Sequence, residues 1–268
     1  PGRPGWHIEC SAMSIKLLGN TIDIHGGGQD LEFPHHENEI AQSESCTGEV
    51  FSNYWLHNGF VTFGEDDEKM SKSLGNFVLL RDLLKEEDPM VVRYLLGSVH
   101  YRRPLVYDVN TLEEARNTLR RFKDMYRRLD YRQKDALDQP ICKKWEDQIK
   151  TYREDFIASM DDDFNAANAF AVIFDLLRHT NQYLEEKVSR ETLQQLKKLM
   201  DEFLDVFGIV ISVQEELLEE DIQQLIEERE VARAEGNYER SDDIRDQLHA
   251  QGIELNDTPQ GTQWRRFK

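Results

Sequence analysis

The segment from Asp23 to Glu39, Asp-Ile-His-Gly-Gly-Gly-Gln-Asp-Leu-Glu-Phe-Pro-His-His-Glu-Asn-Glu, constrains the fold more than any other part of the chain. It predicts a strand over Thr21–His25, a turn made by three successive glycines, and a helix that begins after Pro34. Glycines let a backbone approach a ligand closely, and the first turn of a helix offers free N–H groups to an anion. The segment therefore predicts a ligand-binding unit of strand, turn and helix.

Two potential metal ligands follow in this predicted helix. His35 and Glu39 are four residues apart, so their side chains lie on the same helix face. Together with a thiolate from elsewhere, for which Cys10 is the candidate, they would make most of a zinc site. The simpler interpretation is a solvated helix face and an ordinary buried thiol. Cys46 and Cys142 have no potential ligands at metal spacing and are expected to be structural.

Charge and cysteine usage exclude several classes of protein. The formal net charge of −19 opposes nucleic-acid binding by bulk electrostatics, so any RNA contact must use local patches. Three cysteines do not indicate a disulfide framework. No apolar run approaches the length of a membrane span. We therefore expect a cytoplasmic protein with no membrane partner.

Helical periodicity dominates after residue 110. Apolar residues recur every three or four positions from Leu112 to Leu129 and from Leu193 to Phe207, which predicts a helical bundle. A further helix is expected over Asp163–Glu185, and an acidic linker over Val213–Glu220. Two short helices and a hairpin then close the chain. We expect three domains, over residues 1–100, 101–212 and 213–268.

Two groups of basic residues stand out in this acidic chain. Lys69 and Lys72 lie in a polar loop with the small hydroxyl residues Ser71 and Ser73, and such lysines are usually surface residues. The segment Tyr101–Lys134 is locally basic, which usually indicates a solvated helix face. It is also one of the few places where an RNA backbone could bind.

Several motifs together resemble cysteinyl-tRNA synthetases, which are class I aminoacyl-tRNA synthetases. They are Gly2-Arg3-Pro4-Gly5-Trp6-His7-Ile8-Glu9-Cys10-Ser11, the glycines with Asp30, Phe33-Pro34-His35-His36-Glu37-Asn38-Glu39, the Lys69–Ser73 loop and Gly261-Thr262-Gln263-Trp264-Arg265-Arg266. The resemblance covers essentially the whole chain. It implies an α/β plus mainly α fold: the C-terminal part of a Rossmann-type catalytic domain, an anticodon-side helical bundle that binds tRNA, and a small mixed α/β anticodon-binding module.

The resemblance also implies one zinc ion and a pocket for L-cysteine. Cys10, His35 and Glu39 match three zinc ligands of the family, whose fourth ligand, a cysteine, is expected upstream of residue 1. Trp6 and His36 match residues of the substrate pocket. A zinc ion binds a thiolate far better than a hydroxyl group, so such a site selects cysteine over serine. Trp6 could equally pack in a core.

ATP, with magnesium, is the second substrate that the resemblance implies. Gly26, Gly27, Gly28 and Asp30 match its adenosine-binding segment. Lys69 and Lys72 match the signature loop that stabilises negative charge on the triphosphate during catalysis, and Lys72 is also expected to bind ATP.

The tRNA for cysteine is the partner that the resemblance implies, with a monomeric enzyme. The matching positions are Arg233, Asp242, Asp257, Trp264 and Arg265, whose side chains can contact or stack on unpaired bases. From the residues alone, Asp242 could instead cap a helix and Trp264 could fill a small core.

Two alternatives to a cysteine-tRNA ligase stay open at this point. A mycothiol-type cysteine ligase has a similar catalytic domain but joins cysteine to an amino sugar, and a non-catalytic RNA-binding paralogue would use the C-terminal parts alone. The family's His-Ile-Gly-His signature does not occur in the chain, so an upstream portion is expected, and this fragment alone is expected to be inactive.

Overall fold

The computed structural model describes residues 2, 4–64, 68–69, 78–212, 219–258 and 261–266. The chain divides into two units, Pro1–Ile211 and Ser212–Lys268. Lys72 lies outside the described residues, as does most of the predicted linker Val213–Glu220.

The first part of the larger unit is a βαβ arrangement preceded by a helix. Strand β1 (Ile22–Gly28) pairs in parallel with β2 (Ser52–Asn58). Helix α1 (His7–Leu18) precedes them and packs against a helix over Glu37–Thr47. The connection between the strands consists of α2 (Gln29–Leu31), a π-helical segment Glu32–His36 and α3 (Glu37–Thr47).

The predicted glycine turn is wrong, because β1 continues through Gly28. Gly26, Gly27 and Gly28 pair with Leu56, His57 and Asn58, and none of the three glycines has a positive φ. Their lack of a side chain serves close packing: a Cβ on Gly27 would lie 2.9 Å from Cε1 of His36. The glycines therefore make room for neighbouring side chains in space and do not reverse the chain.

A second small sheet follows β2 in the chain. Strand β2 ends before Gly59, whose N–H donates to the carbonyl of Tyr101 at 2.7 Å. Strand β3 (Val61–Phe63) then pairs with β4 (Glu68–Lys69) and with β5 (Leu105–Tyr107). Helices α4 (Leu80–Glu86) and α5 (Pro89–Gly97) lie between β4 and β5 in the sequence.

Four long helices form the bundle of the larger unit. They are α6 (Val109–Arg132), α7 (Lys143–Asp161), α8 (Ala166–Tyr183) and α9 (Arg190–Val206). The predicted apolar stripes of α6 and α9 are buried, except for Phe207, which is half-buried and follows α9. Helix α8 begins three residues later than predicted, because Asp163 and Phe164 adopt left-handed φ values of 54° each. Asn165 then caps α8 by accepting from the N–H of Asn168.

The second unit is two helices and a hairpin, as predicted. Helices α10 (Glu219–Ala234) and α11 (Tyr238–Ala250) pack on the antiparallel pair β6 (Ile253–Thr258) and β7 (Gly261–Arg266). Ile222, Ile226, Ile244, Leu248 and Ile253 form its core. In the described parts of both units, no helix combines the length and apolarity needed to cross a membrane.

Candidate metal centre

The structure brings the three predicted metal ligands together from two packed helices and the turn before one of them. Cys10 lies on α1, His35 in the π-helical segment and Glu39 in the first turn of α3. One ligand atom from each lies within 4.8 Å of the other two. The helical spacing aligns His35 with Glu39, and the packing of α1 on α3 brings in the thiol.

Glu39 is the centre of this cluster, and its carboxylate is fully buried. Oε1 lies 2.6 Å from Nε2 of His35, and Oε2 lies 3.0 Å from Nε2 of His25. Neither oxygen receives a hydrogen bond of good geometry. A buried carboxylate without satisfied oxygens is costly, and a bound cation removes that cost. The residues present therefore fit a metal ion.

The donor atoms indicate which metal fits. Sulfur, imidazole nitrogen and carboxylate oxygen are the donors that zinc takes in proteins. Without a cation, burial and then the neighbouring Glu39 carboxylate raise the pKa of the Cys10 thiol. A coordinated cation deprotonates such a thiol. Cys46 and Cys142, which were predicted to be structural, are free thiols on exposed residues.

A group of histidines beside the predicted ligands was missed from the sequence. His25 on β1 and His57 on β2 both contact His36, whose Nδ1 lies 2.7 Å from Nε2 of His57. Burial, and then the neighbouring histidines, lower the pKa of His36 to about 4, so its ring is neutral at pH 7. His25, His36 and Glu39 form a second group with metal-binding geometry, which shares its carboxylate with the first. The available signal was the clustering of histidines before residue 58.

The two predicted pocket residues occupy different positions. His36 is buried, and its ring centroid lies 5.1 Å from that of Trp55. Trp6 is 67% exposed and its ring centroid lies 4.9 Å from that of His35, so it borders the cluster and is no core residue.

The predicted adenosine segment lies at the carboxyl ends of the parallel strands, where open α/β sheets bind ligands. Gly28 ends β1, and Asp30 follows it on α2. A Cβ on Gly28 would lie 2.5 Å from Oδ1 of Asp30, so the glycine permits this carboxylate to fold back against the strand. Lys69 lies in β4, and its side chain is outside the described atoms.

In the second unit, three of the predicted tRNA contacts, Arg233, Asp242 and Asp257, are engaged within the protein. Asp257 accepts from Arg229 at 2.8 and 2.9 Å and from Arg233 at 2.6 Å. Arg229 chiefly holds the pKa of Asp257 well below its usual range. Asp242 pairs with Arg245 at 3.3 Å and does not cap α11, which Asn237 does.

The other two predicted tRNA contacts lie on β7. Trp264 packs against the small core, and the side chain of Arg265 is not described. In the basic segment Tyr101–Lys134, much of the positive charge is already compensated. The ion pairs include Arg102–Asp163, Arg116–Glu87, Lys123–Asp88 and Arg128–Glu185.

Three family models match successive parts of the chain. Residues 1–117 match the class I (C) tRNA synthetase catalytic domain, residues 155–211 the DALR domain, and residues 215–265 the cysteinyl-tRNA ligase anticodon binding domain. The cysteine–tRNA ligases of Ligilactobacillus salivarius and Limosilactobacillus fermentum are 52% and 53% identical. Each alignment covers 99% of this chain and 56% of the relative, so the chain spans about half the length of the curated relatives it matches.

Solved structures share the fold at lower identity. Methionyl-tRNA synthetase of Mycobacterium tuberculosis, in complex with methionyl-adenylate, is 19% identical with a TM-score of 0.55, over 70% of this chain and 42% of that chain. A leucyl-tRNA synthetase of Agrobacterium radiobacter, in a ternary complex with tRNA and LeuAMS, is 21% identical with a TM-score of 0.51. The match covers 69% of this chain and 27% of that chain. The predicted fold class is confirmed. The chain belongs to the cysteinyl-tRNA synthetase family.

Proposed function

We propose that the protein is a cysteine–tRNA ligase. It joins cysteine and ATP to cysteinyl adenylate, releases pyrophosphate, and transfers the cysteinyl group to the terminal ribose of its tRNA. The observation that carries this proposal is the buried Glu39 carboxylate, with both oxygens unsatisfied, beside Cys10 and His35. The identity of about 52% to cysteine–tRNA ligases supports it.

Cys10, His35 and Glu39 would hold one zinc ion, together with a fourth ligand, a cysteine expected before residue 1. Zinc bound there would ligate the thiolate of cysteine and discriminate against the hydroxyl group of serine. The chain's own residues shape the space around it. The neutral His36 ring forms a buried wall, and Trp6 at the border can cover a substrate side chain.

ATP would bind at the carboxyl ends of β1 and β2. The glycines Gly26, Gly27 and Gly28 allow close approach, and Asp30 can accept hydrogen bonds from ribose hydroxyls. Lys69 and Lys72 would stabilise the charge that develops on the triphosphate, with magnesium as its counterion.

The tRNA for cysteine would bind the bundle and the second unit. Arg233, Asp242, Asp257, Trp264 and Arg265 are the proposed contacts. Arg229 holds the Asp257 carboxylate in a fixed orientation, which favours recognition because little ordering is needed on binding. The match to an anticodon binding domain supports a tRNA acceptor over an amino sugar. We propose a monomeric, cytoplasmic enzyme.

The test uses the full-length protein and two cysteine variants. Cys10→Ser removes the proposed thiolate ligand, and Cys46→Ser is the matched control because Cys46 is an exposed free thiol. We expect Cys10→Ser to lower zinc content and cysteine-dependent pyrophosphate exchange, while Cys46→Ser leaves both unchanged. Wild-type protein that charges an amino sugar and no tRNA would overturn the proposal, as would wild-type protein without cysteine-dependent exchange.

A further inference from the structure

The turn between α7 and α8 has an unusual backbone. Asp163 and Phe164 both have φ of 54°, a backbone conformation that residues other than glycine rarely adopt. Hydrogen bonds from Phe164 N–H to the carbonyl of Met160 and from Asn165 N–H to that of Ser159, both 3.1 Å, hold the turn. Strained backbone persists where the surroundings impose it, and it clusters at sites with a functional constraint.

The turn directs the Asp163 carboxylate to the segment between α5 and β5. The Tyr101 hydroxyl donates to Oδ1 at 2.7 Å. Arg102 donates through Nε to Oδ2 at 2.6 Å and through Nη2 to Oδ1 at 3.2 Å. This is the bidentate geometry in which a guanidinium group fixes a carboxylate in orientation as well as in distance. Arg102, and then Tyr101, lower the pKa of Asp163, so the pair stays charged at neutral pH.

The segment that Asp163 contacts is itself bonded to the strands of the candidate site. The carbonyl of Tyr101 accepts from Gly59 N–H at 2.7 Å, and Leu105 N–H donates to the carbonyl of Phe60 at 2.8 Å. Gly59 directly follows β2, the strand that carries His57. A Cβ on Gly59 would lie 2.3 Å from the carbonyl oxygen of Arg103, so the two segments are in tight contact. Bonded residues thus connect His57 to the bundle through Asp163.

This connection joins two parts that match different family models. Tyr101 and Arg102 lie within the residues that match the catalytic domain, and Asp163 lies within those that match the DALR domain. Two ion pairs made by α6 of the bundle, Arg116–Glu87 and Lys123–Asp88, contact the residues between α4 and α5. The contact of Asp163 with Tyr101 instead leads, through Gly59, to the end of β2.

We propose that Asp163 is a positioning residue that fixes the bundle relative to the strands of the active site during transfer of the aminoacyl group to tRNA. The inference rests on the proposed function. A tRNA held by the bundle must place its terminal ribose at the adenylate, and that placement depends on the geometry between the two parts. Formation of the adenylate needs no tRNA and does not depend on the geometry between the two parts. Loosening the contact therefore impairs transfer and spares activation.

The experiment compares Asp163→Asn with Glu202→Gln in the full-length protein. Asn tolerates the left-handed conformation, so the first variant keeps the turn and removes the charge. Glu202 pairs with Arg153 at 2.5 Å inside the bundle, with exposure close to that of the Arg102–Asp163 pair. We expect Asp163→Asn to lower kcat for tRNA charging about tenfold to a hundredfold. The KM for tRNA and the rate of pyrophosphate exchange should each change less than about twofold. Glu202→Gln should change none of these.

A second comparison tests whether Asp163 acts through Arg102. If it does, the double variant Arg102→Ala with Asp163→Asn loses no more activity than Asp163→Asn alone, since both remove the same contact. Unchanged charging by Asp163→Asn, equal losses in exchange and charging, or additive losses in the double variant would overturn the inference. Each of these results leaves wild-type charging intact and so spares the proposed function. A wild type without exchange or charging would reject both.

Discussion

Gly27 is the position where one added methyl group tests the packing of the candidate site. A Cβ there would lie 2.9 Å from Cε1 of His36 and 3.0 Å from Cδ1 of Leu31. His36 cannot easily move away, because its ring centroid lies 4.7 Å from that of His25 and 5.1 Å from that of Trp55. Overpacking of this kind destabilises a protein by about 1–3 kcal/mol. We therefore expect Gly27→Ala to lower the free energy of unfolding by that amount.

Thermal unfolding measures this cost. In a unit of about 200 residues, each kcal/mol shifts Tm by about 2–4 °C, so Gly27→Ala should lower Tm by about 2–12 °C. Gly97→Ala is the control, because its Cβ would meet no atom within 4 Å and its φ is negative. Alanine is the better helix former by about 0.5–1 kcal/mol, so Tm of this variant should stay level or rise. Equal Tm values for the two variants would refute the packing argument.

The same substitution has a functional consequence. Because His36 forms a wall of the proposed cysteine pocket, displacement of its ring should raise KM for cysteine in pyrophosphate exchange. Gly97 lies at the end of α5, away from these residues in the chain, and Gly97→Ala should leave that KM unchanged.

Four further predictions concern the ligand set and the stability of the two units. Glu39→Gln should lower the bound zinc found by elemental analysis, because it replaces an anionic ligand with a weak one; undiminished zinc would remove Glu39 from the ligand set. Asp257→Asn should destabilise the second unit at pH 7, seen as faster hydrogen exchange of β6 and β7. Since the pKa of Asp257 is lowered by folding, its contribution is present above the unfolded value of 3.8, and the difference from wild type should shrink as pH falls below it. Leu119→Ala, at a site 2% exposed, should cost about 2–5 kcal/mol in urea unfolding, whereas Val109→Ala, at a site 79% exposed, should stay within about 0.5 kcal/mol. Asp108→Ala should cost about 0.5–2 kcal/mol by the same assay, because Asp108 caps α6 through a bond to Thr111 N–H; no loss would contradict the cap.

The long helices could be predicted because their signal is local. In α6, apolar residues at intervals of three and four fall on one face, and the structure buries that face. Helix α7 was not predicted, although Trp145, Ile149, Tyr152 and Phe156 have the same spacing, because charged residues surround them. The start of α8 was misplaced for another reason. Asp163 belongs to a left-handed turn, and its carboxylate contacts Tyr101 and Arg102, which are about 60 positions away in the chain.

Contacts between strands could not be predicted from local pattern. The glycines of β1 suggested a turn because glycine is the commonest turn residue, but Gly27 instead leaves space for His36, which a separate helical segment places against it. His57 was missed for the same reason, since its position opposite Gly27 is set by the register of β1 and β2. His35 and Glu39 were recognisable because four residues along a helix is a local distance.

The position of Glu39 explains why the candidate site depends both on residues close to it in the sequence and on residues that the fold brings to it from elsewhere. Its two oxygens face different rings, with His35 at Oε1 and His25 at Oε2. A cation held by Cys10, His35 and one oxygen of Glu39 would leave the other oxygen for His25. In metal sites such an outer partner orients the ligand, and its loss usually lowers affinity about 10–100-fold. The strand that carries His25 would therefore support the proposed metal site without supplying one of its ligands, and Gly27 in this strand leaves the space that His36 occupies.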